Sequence, residues 1–132
     1  MKKRVLLVED NPPTVDVLEM ELKHLGYEVR VATNGLEAVK MVVSAPPDLV
    51  VMDILLPELD GLEATRRLRE NPSTRDVPIL AATAKAMPGD KEKCLAAGCD
   101  GYIAKPFNHR ELETAIAGVF KLRLDKRHTN NE

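Results

Sequence analysis

Two kinds of apolar pattern alternate five times along this chain. Short runs of consecutive apolar residues, such as Val5–Val8 and Leu49–Met52, are separated by longer stretches in which apolar residues recur every three or four positions. A short continuous run is typical of a strand buried on both faces, and the recurring pattern is typical of an amphipathic helix. Strands that alternate with helices form parallel units joined by right-handed crossovers. The sequence therefore predicts an α/β domain, in which helices cover both faces of a doubly wound, five-stranded parallel sheet to give three layers.

Turn and cap residues set the limits of the predicted elements. The strands are predicted at Val5–Val8, Glu28–Ala32, Leu49–Met52, Val77–Ala82 and Asp100–Ala104. Helices follow each strand, beginning near residues such as Pro12 and Gly61 that favour a helix start or a turn. From Lys121 on the chain is mostly polar and charged, and we expect residues 125–132 to be frayed or disordered. The pattern predicts one domain, residues 1–120, followed by a short polar tail, residues 121–132.

Length and composition narrow the class of protein. A chain of 132 residues with 44% hydrophobic and 30% charged residues suits one soluble globular domain. The longest apolar runs are about four residues, far short of the roughly 20 that cross a bilayer, and the N-terminus has no signal-peptide pattern, so a cytoplasmic protein is expected. The net charge of −2 gives no indication of direct nucleic-acid binding. Cys94 and Cys99 are interpreted as free thiols.

Polar side chains stand at the carboxyl ends of four predicted strands. Asp53 follows the central apolar run directly, and the other residues at such ends are Glu9, Asp10, Thr83 and Lys105. In a parallel sheet all carboxyl ends lie along one edge, where ligands usually bind, and neighbouring strands are about 4.8 Å apart. These side chains are therefore expected to share one site, although they are distant in sequence.

The residue types at this edge indicate phosphoryl chemistry. Asp10 and Asp53 within about 5 Å would repel each other by about 3 kcal/mol at an effective dielectric constant of roughly 20. Either one acid takes up a proton or a hard cation binds between them, and oxygen ligands with retained water suit Mg²⁺. Lys105 offers a positive charge for phosphoryl oxygens, and Thr83 offers a hydroxyl donor. The set predicts a magnesium-dependent phosphoryl-transfer site in which Asp53 is the nucleophile.

Four short motifs carry a resemblance to a known family. They are VLLVEDN at residues 5–11, MDILLPELDG at 52–61, AATA at 81–84 and GYIAKPF at 101–107. In this order and spacing they resemble the receiver domain of bacterial two-component response regulators, and the chain is similar to the stand-alone chemotaxis-type and cell-cycle-type regulators. The resemblance runs from about Lys3 to Phe120. It implies the flavodoxin-like receiver fold, with strand order 2-1-3-4-5, and a function in phosphorelay signal transduction.

The resemblance also implies roles for residues at the site. Asp53 would accept a phosphoryl group from a histidine of a sensor kinase or of a phosphotransfer protein. Mg²⁺ would be held by Asp10, Asp53 and the backbone carbonyl of Leu55, with Glu9 in support. Such a protein is not an enzyme in the ordinary sense, because it catalyses only its own phosphorylation and the slow loss of the phosphoryl group.

A conformational switch is the further implication of the resemblance. Lys105 would pair with the phosphoryl oxygens, Thr83 would bond to them, and Tyr102 would turn inward to fill the space that Thr83 vacates. The Lys105–Pro106 bond would be cis. The surface that changes would cover Pro88–Val119 and would bind a downstream protein, with the chain a monomer or a weak homodimer.

Four alternatives stay open from the sequence. An aspartyl phosphatase of the haloacid-dehalogenase type also uses a strand-end aspartate with Mg²⁺, but it needs a second acid where this chain has Leu55. A flavodoxin-like electron carrier needs a hydroxyl-rich phosphate loop after the first strand, which this sequence lacks. A pseudo-receiver that binds partners without phosphorylation is disfavoured because all the site residues are present. The last alternative is a receiver cut from a hybrid kinase or from a regulator with an output domain.

Two positions flank the expected path of water to the phosphoryl group. They are Leu55, two residues after Asp53, and Lys85, two residues after Thr83. An apolar side chain at Leu55 would shield an acyl phosphate from water. The sequence therefore predicts a long-lived phosphorylated state.

Overall fold

Strands and helices alternate along the chain in the predicted order. The computed structural model describes residues 2–84 and 87–130. The strands in this range are β1 (Arg4–Val8), β2 (Glu28–Ala32), β3 (Leu49–Asp53), β4 (Ile79–Thr83) and β5 (Gly101–Ala104). The helices are α1 (Pro12–His24), α2 (Gly35–Ser44), α3 (Gly61–Glu70), α4 (Asp90–Ala97) and α5 (His109–Asn130). None of these helices is both long and apolar enough to cross a membrane.

The sheet is parallel throughout, with the strand order β2-β1-β3-β4-β5. Successive residues of β1 point to opposite faces, so that Leu6 packs with α2, α3 and α4 on one side, while Leu7 packs with α1 and α5 on the other. Each face thus has its own apolar cluster beneath a layer of helices. The predicted three-layer, doubly wound receiver fold is confirmed.

Burial along each strand follows from its place in the sheet. Every residue of β3 and β4 is buried, including the polar residues Asp53 and Thr83 at their carboxyl ends. The edge strand β2 instead alternates between exposed and less exposed residues. Helices cover both faces of the central strands, and this explains why their sequences are continuous apolar runs rather than alternating ones.

Two strands begin later than predicted. β4 begins at Ile79 rather than Val77, because Pro78 has no N–H to donate and the N–H of Val77 donates to the carbonyl of Thr74 instead. β5 begins at Gly101, one residue later than expected. At the carboxyl ends, β5 ends at Ala104 as predicted and β4 ends one residue later than predicted, at Thr83. It is these ends that form the edge with the polar side chains.

Helix α5 extends beyond the predicted end of the domain. It runs to Asn130. The prediction that the chain is frayed or disordered from Asp125 on is therefore wrong for residues 125–130. Asn131 and Glu132 lie outside the described residues. The polar composition of this segment was interpreted as a lack of contacts, but its basic residues form ion pairs with the body of the domain.

A buried carboxylate holds the extended part of α5. Asp100 lies just before β5, and its side chain is fully buried. Its Oδ1 is 2.7 Å from Nε of Arg123 and 3.7 Å from Nζ of Lys126, both on α5. Its Oδ2 accepts hydrogen bonds from Arg69 of α3 at 3.0 Å and from the backbone N–H of Ile79 at 2.9 Å. Because a buried charge must be compensated, these contacts favour the helical conformation of the extension.

We predict that Arg123→Gln lowers the free energy of unfolding by about 2 kcal/mol, because Asp100 would lose its shortest ion pair while remaining buried. Urea unfolding followed by circular dichroism measures this loss as a lower midpoint. Lys121→Gln, at an exposed position of the same helix, is the matched control and should keep the wild-type midpoint. Equal midpoints for the two variants would show that Asp100 does not stabilise the extension.

Candidate functional site

The carboxyl edge of the sheet brings the predicted polar residues together. Glu9 directly follows β1, Asp53 ends β3 and Thr83 ends β4. Lys105 follows β5, and its backbone N–H donates to the carbonyl of Thr83 at 2.8 Å. In the strand register, Asp53 pairs with Ala82 and Thr83 lies one step beyond. The convergence expected from a parallel sheet is therefore present in the structure.

Three acidic side chains form the centre of the site. Glu9, Asp10 and Asp53 each offer a carboxylate oxygen, and these oxygens all lie within 4.8 Å of one another. Two oxygens bound to one Mg²⁺ at about 2.1 Å are at most about 4.2 Å apart, so a small movement of the side chains would suffice to share the ion. Glu9 and Asp53 are buried, whereas Asp10 is exposed and leaves the group open to solvent. The donor set fits a hard divalent cation.

Lys105 compensates part of this negative charge. Its Nζ forms a short hydrogen-bonded ion pair with Oε1 of Glu9 and lies 3.9 Å from Oδ2 of Asp53. The other oxygen of Glu9 accepts a hydrogen bond from the backbone N–H of Asn11 at 3.2 Å. Both oxygens of Glu9 are thus engaged, which leaves Asp10 and Asp53 as the less committed carboxylates. Sequence reasoning did not predict the Glu9–Lys105 pair, because neighbouring strand ends do not specify side-chain partners.

The electrostatics of Asp53 reflect its position between these groups. Burial raises the pKa of Asp53 from 3.8 to about 6, and the nearby charge of Glu9 acts in the same direction. The backbone N–H of Leu55 donates to Oδ1 of Asp53 at 3.0 Å, and this bond and the charge of Lys105 oppose the shift. Asp53 is therefore ionised near neutral pH, but at a cost that a bound cation would reduce.

The remaining predicted residues lie around this centre. Thr83 is buried at the end of β4, and Tyr102 is half-buried on the edge strand β5, where it packs against the apolar cluster beneath α2, α3 and α4. The side chain of Leu55 is 54% exposed. The Lys105–Pro106 bond is cis, as expected. Lys85 lies outside the described residues.

Comparison with protein families identifies this arrangement. The sequence model described as the response regulator receiver domain matches residues 5–117. The polar-differentiation response regulator DivK of Brucella anthropi is 42% identical over 108 residues, which cover 82% of this chain and 88% of that protein. DivK of Brucella ovis is 41% identical over the same length.

Solved structures show the same fold. The receiver domain of a sensor histidine kinase from Pseudomonas aeruginosa, solved with a magnesium ion coordinated in the active site cleft, is 45% identical and has a TM-score of 0.80, covering 86% of this chain and 93% of that one. The chemotaxis response regulator CheY4 of Vibrio cholerae is 29% identical with a TM-score of 0.83, covering 90% of this chain and 99% of that one.

We predict that Asp53→Asn raises the free energy of unfolding by about 2 kcal/mol at pH 7.5 without divalent cations, because it removes a buried charge beside Glu9 and Asp10. The folded protein holds the proton of Asp53 up to about pH 6, whereas the unfolded chain releases it near pH 3.8. The penalty of the charge is therefore complete above about pH 7 and disappears as the pH falls to about 4. Urea unfolding at several pH values measures both effects.

The matched control for this prediction is Asp16→Asn, on an exposed position of α1. It should change stability little at any of these pH values. Addition of Mg²⁺ should raise the stability of the wild type and of Asp16→Asn more than that of Asp53→Asn. A gain for Asp53→Asn that did not depend on pH would contradict the electrostatic explanation.

Proposed function

This chain belongs to the response regulator receiver domain family, and on that basis we propose that it is a phosphorylation-dependent signalling switch. Asp53 accepts a phosphoryl group from a phosphorylated histidine of a sensor kinase or of a phosphotransfer protein. The observation that carries the proposal is the approach of Glu9, Asp10 and Asp53 to within 4.8 Å, with Lys105 as their cationic neighbour. Members of this family are not ordinarily enzymes, and the chemistry proposed here is limited to its own phosphorylation and dephosphorylation.

The transfer step uses groups that the site already holds. An ionised oxygen of Asp53 attacks the phosphorus atom, the phosphorus–nitrogen bond of the phosphohistidine breaks, and the imidazole leaves with the bonding electron pair. With a pKa of about 6, Asp53 is ionised at neutral pH and is therefore competent as a nucleophile. Lys105 has to leave Glu9 only partly to reach the phosphoryl oxygens, because it already lies 3.9 Å from Asp53. Thr83 contributes its hydroxyl from the adjacent strand end.

Asp10, Asp53 and the backbone carbonyl of Leu55 would bind Mg²⁺ directly. Glu9 would support the ion without being a direct ligand. Magnesium bound there supplies positive charge that offsets the repulsion between carboxylate and phosphoryl oxygens. The magnesium-bound receiver from Pseudomonas aeruginosa, at 45% identity, supports this choice of metal. The role of Asp10 rests on its exposed carboxylate, through which the ion can enter from solvent.

A change at the phosphorylated edge would alter the surface of the domain. The acyl phosphate adds about two negative charges, which draw in Lys105 and Thr83. Tyr102 would then turn inward, and the surface over Pro88–Val119 would change shape for a downstream protein partner. We further propose a cytoplasmic single-domain regulator similar to DivK, a monomer or weak homodimer that binds neither nucleic acid nor membrane directly.

The experiment that tests the proposed function is intact mass spectrometry after incubation with acetyl phosphate and Mg²⁺. The wild type should gain about 80 Da, and the gain should disappear when Mg²⁺ is removed by EDTA. Asp53→Asn should gain no mass, whereas Asp60→Asn should still do so, because Asp60 caps α3 outside the acidic group. A wild type that stays unmodified while folded would exclude the phosphorylated switch and favour a pseudo-receiver.

We predict that Leu55→Asn shortens the lifetime of the phosphorylated state by about tenfold, because an amide beside Asp53 can bind and orient the water that hydrolyses the acyl phosphate. Leu55 is exposed and next to the acceptor, so the substitution needs no repacking of the core. The decay of the added mass after removal of the phosphodonor measures the lifetime. Leu55→Val, which keeps an apolar side chain, should retain the slow decay, and equal lifetimes for the two variants would exclude shielding by Leu55.

A further inference from the structure

The loop between β3 and α3, residues 54–60, is enclosed between the first residues of two helices. Gly35 is the first residue of α2, and Gly61 is the first residue of α3. Each glycine follows an N-cap side chain, Asn34 or Asp60, that accepts a hydrogen bond from the backbone N–H three residues later. After the cap both helices begin with the sequence Gly-Leu-Glu-Ala. Two equivalent helix starts therefore flank the loop that follows Asp53.

Gly35 lies so close to this loop that the structure leaves no room for a side chain at this position. A Cβ atom on Gly35 would lie 1.8 Å from the carbonyl oxygen of Leu59 and 2.7 Å from its carbonyl carbon. Real Cβ atoms do not come closer than 3.0 Å to such neighbours. Any other residue at this position would displace the backbone of Leu59 by about an ångström or more. By contrast, a Cβ on Gly118 in α5 would meet nothing within 4 Å.

The loop is also closely packed where it begins. A Cβ on Gly61 would lie 2.3 Å from the carbonyl oxygen of Asp53 and 2.8 Å from Cα of Ile54, so the start of α3 lies directly against the first residue of the loop. The N–H of Gly61 also donates to the carbonyl of Ile54 at 3.2 Å and closes the loop at its base. Glu58 has a φ of 64°, a left-handed conformation that non-glycine residues rarely adopt.

The enclosed loop carries a backbone group that contacts the acidic site. Leu55 donates its N–H to Asp53 Oδ1 at 3.0 Å, and its carbonyl is the backbone ligand proposed above for Mg²⁺. We propose that Gly35 is a positioning residue for this site: its missing side chain seats the Leu59 carbonyl against α2 and thereby holds Leu55 in register with Asp53. This inference rests on the proposed function and adds a residue that lies outside the acidic group itself.

The test is the magnesium dependence of phosphorylation by acetyl phosphate in Gly35→Ala. A displaced loop weakens one ligand of the ion, so the Mg²⁺ concentration for half-maximal rate should rise by about tenfold, the usual effect of disturbing the supports of metal ligands. The rate at saturating Mg²⁺ should change much less, because Asp53 and Lys105 are untouched. Gly118→Ala is the matched control and should keep the wild-type magnesium dependence.

Each outcome decides between the two proposals. A wild type that acetyl phosphate does not phosphorylate overturns the proposed function itself. A phosphorylated wild type together with an unchanged magnesium dependence in a folded Gly35→Ala overturns the positioning role alone. Thermal unfolding without Mg²⁺ verifies that each variant is folded, and a purely structural role would lower stability without changing the magnesium dependence.

A second pair of variants covers the case in which Gly35→Ala does not fold. Glu58→Gly removes the backbone strain beside Leu59, because glycine adopts a positive φ freely. The double variant Gly35→Ala/Glu58→Gly should therefore fold with a displaced loop. Relative to Glu58→Gly alone, a raised magnesium requirement supports the positioning role, and an equal requirement overturns it.

Discussion

The parallel alignment of the strands is the constraint on which the site depends. Because β1, β3, β4 and β5 all run in one direction, their carboxyl ends meet at a single edge, and residues from distant parts of the chain become neighbours there. Complete burial of β3 holds Asp53 at that edge with little freedom to move away from Glu9. The fold thus maintains a repulsive arrangement of acids that the apolar core stabilises from beneath.

Opposite edges of the sheet compensate their buried charge differently. At one edge, Asp100 is paired with two arginines and a lysine and accepts a backbone hydrogen bond, so its charge is well satisfied. At the other edge, Lys105 lies within 4 Å of both Glu9 and Asp53, and burial raises the pKa of Asp53 to about 6. A buried carboxylate whose charge is fully paired favours one rigid arrangement of its neighbours. Acidic side chains with excess negative charge are instead stabilised by added cations. We therefore expect bound cations to change the electrostatics at the carboxyl edge more than around Asp100.

Local sequence patterns were sufficient for most of the fold. Apolar runs such as Leu49–Met52 predicted buried strands because only residues covered on both faces lose their alternation. The strand-end positions of Asp53, Thr83 and Lys105 followed from that assignment, and so did their convergence. The errors arose where a distant partner decides the conformation. The chain from Asp125 on was predicted to fray, but Lys126 lies 3.7 Å from Asp100, and Arg123 one turn earlier is 2.7 Å from the same carboxylate, which lies at the other end of the sheet.

The sequence by itself therefore determined the parallel α/β architecture and the set of residues at the carboxyl edge, because both follow from periodicity and chain order. Tertiary structure alone decided which of those residues pair, since side-chain partners depend on distances across strands. In the folded chain Lys105 pairs with Glu9, and ion pairs with the body of the domain accompany the extension of α5 to Asn130. Tertiary structure also placed the first turn of α2 against the loop between β3 and α3, where a Cβ on Gly35 would lie 1.8 Å from the carbonyl oxygen of Leu59, because these segments are distant in sequence and meet only in the folded chain.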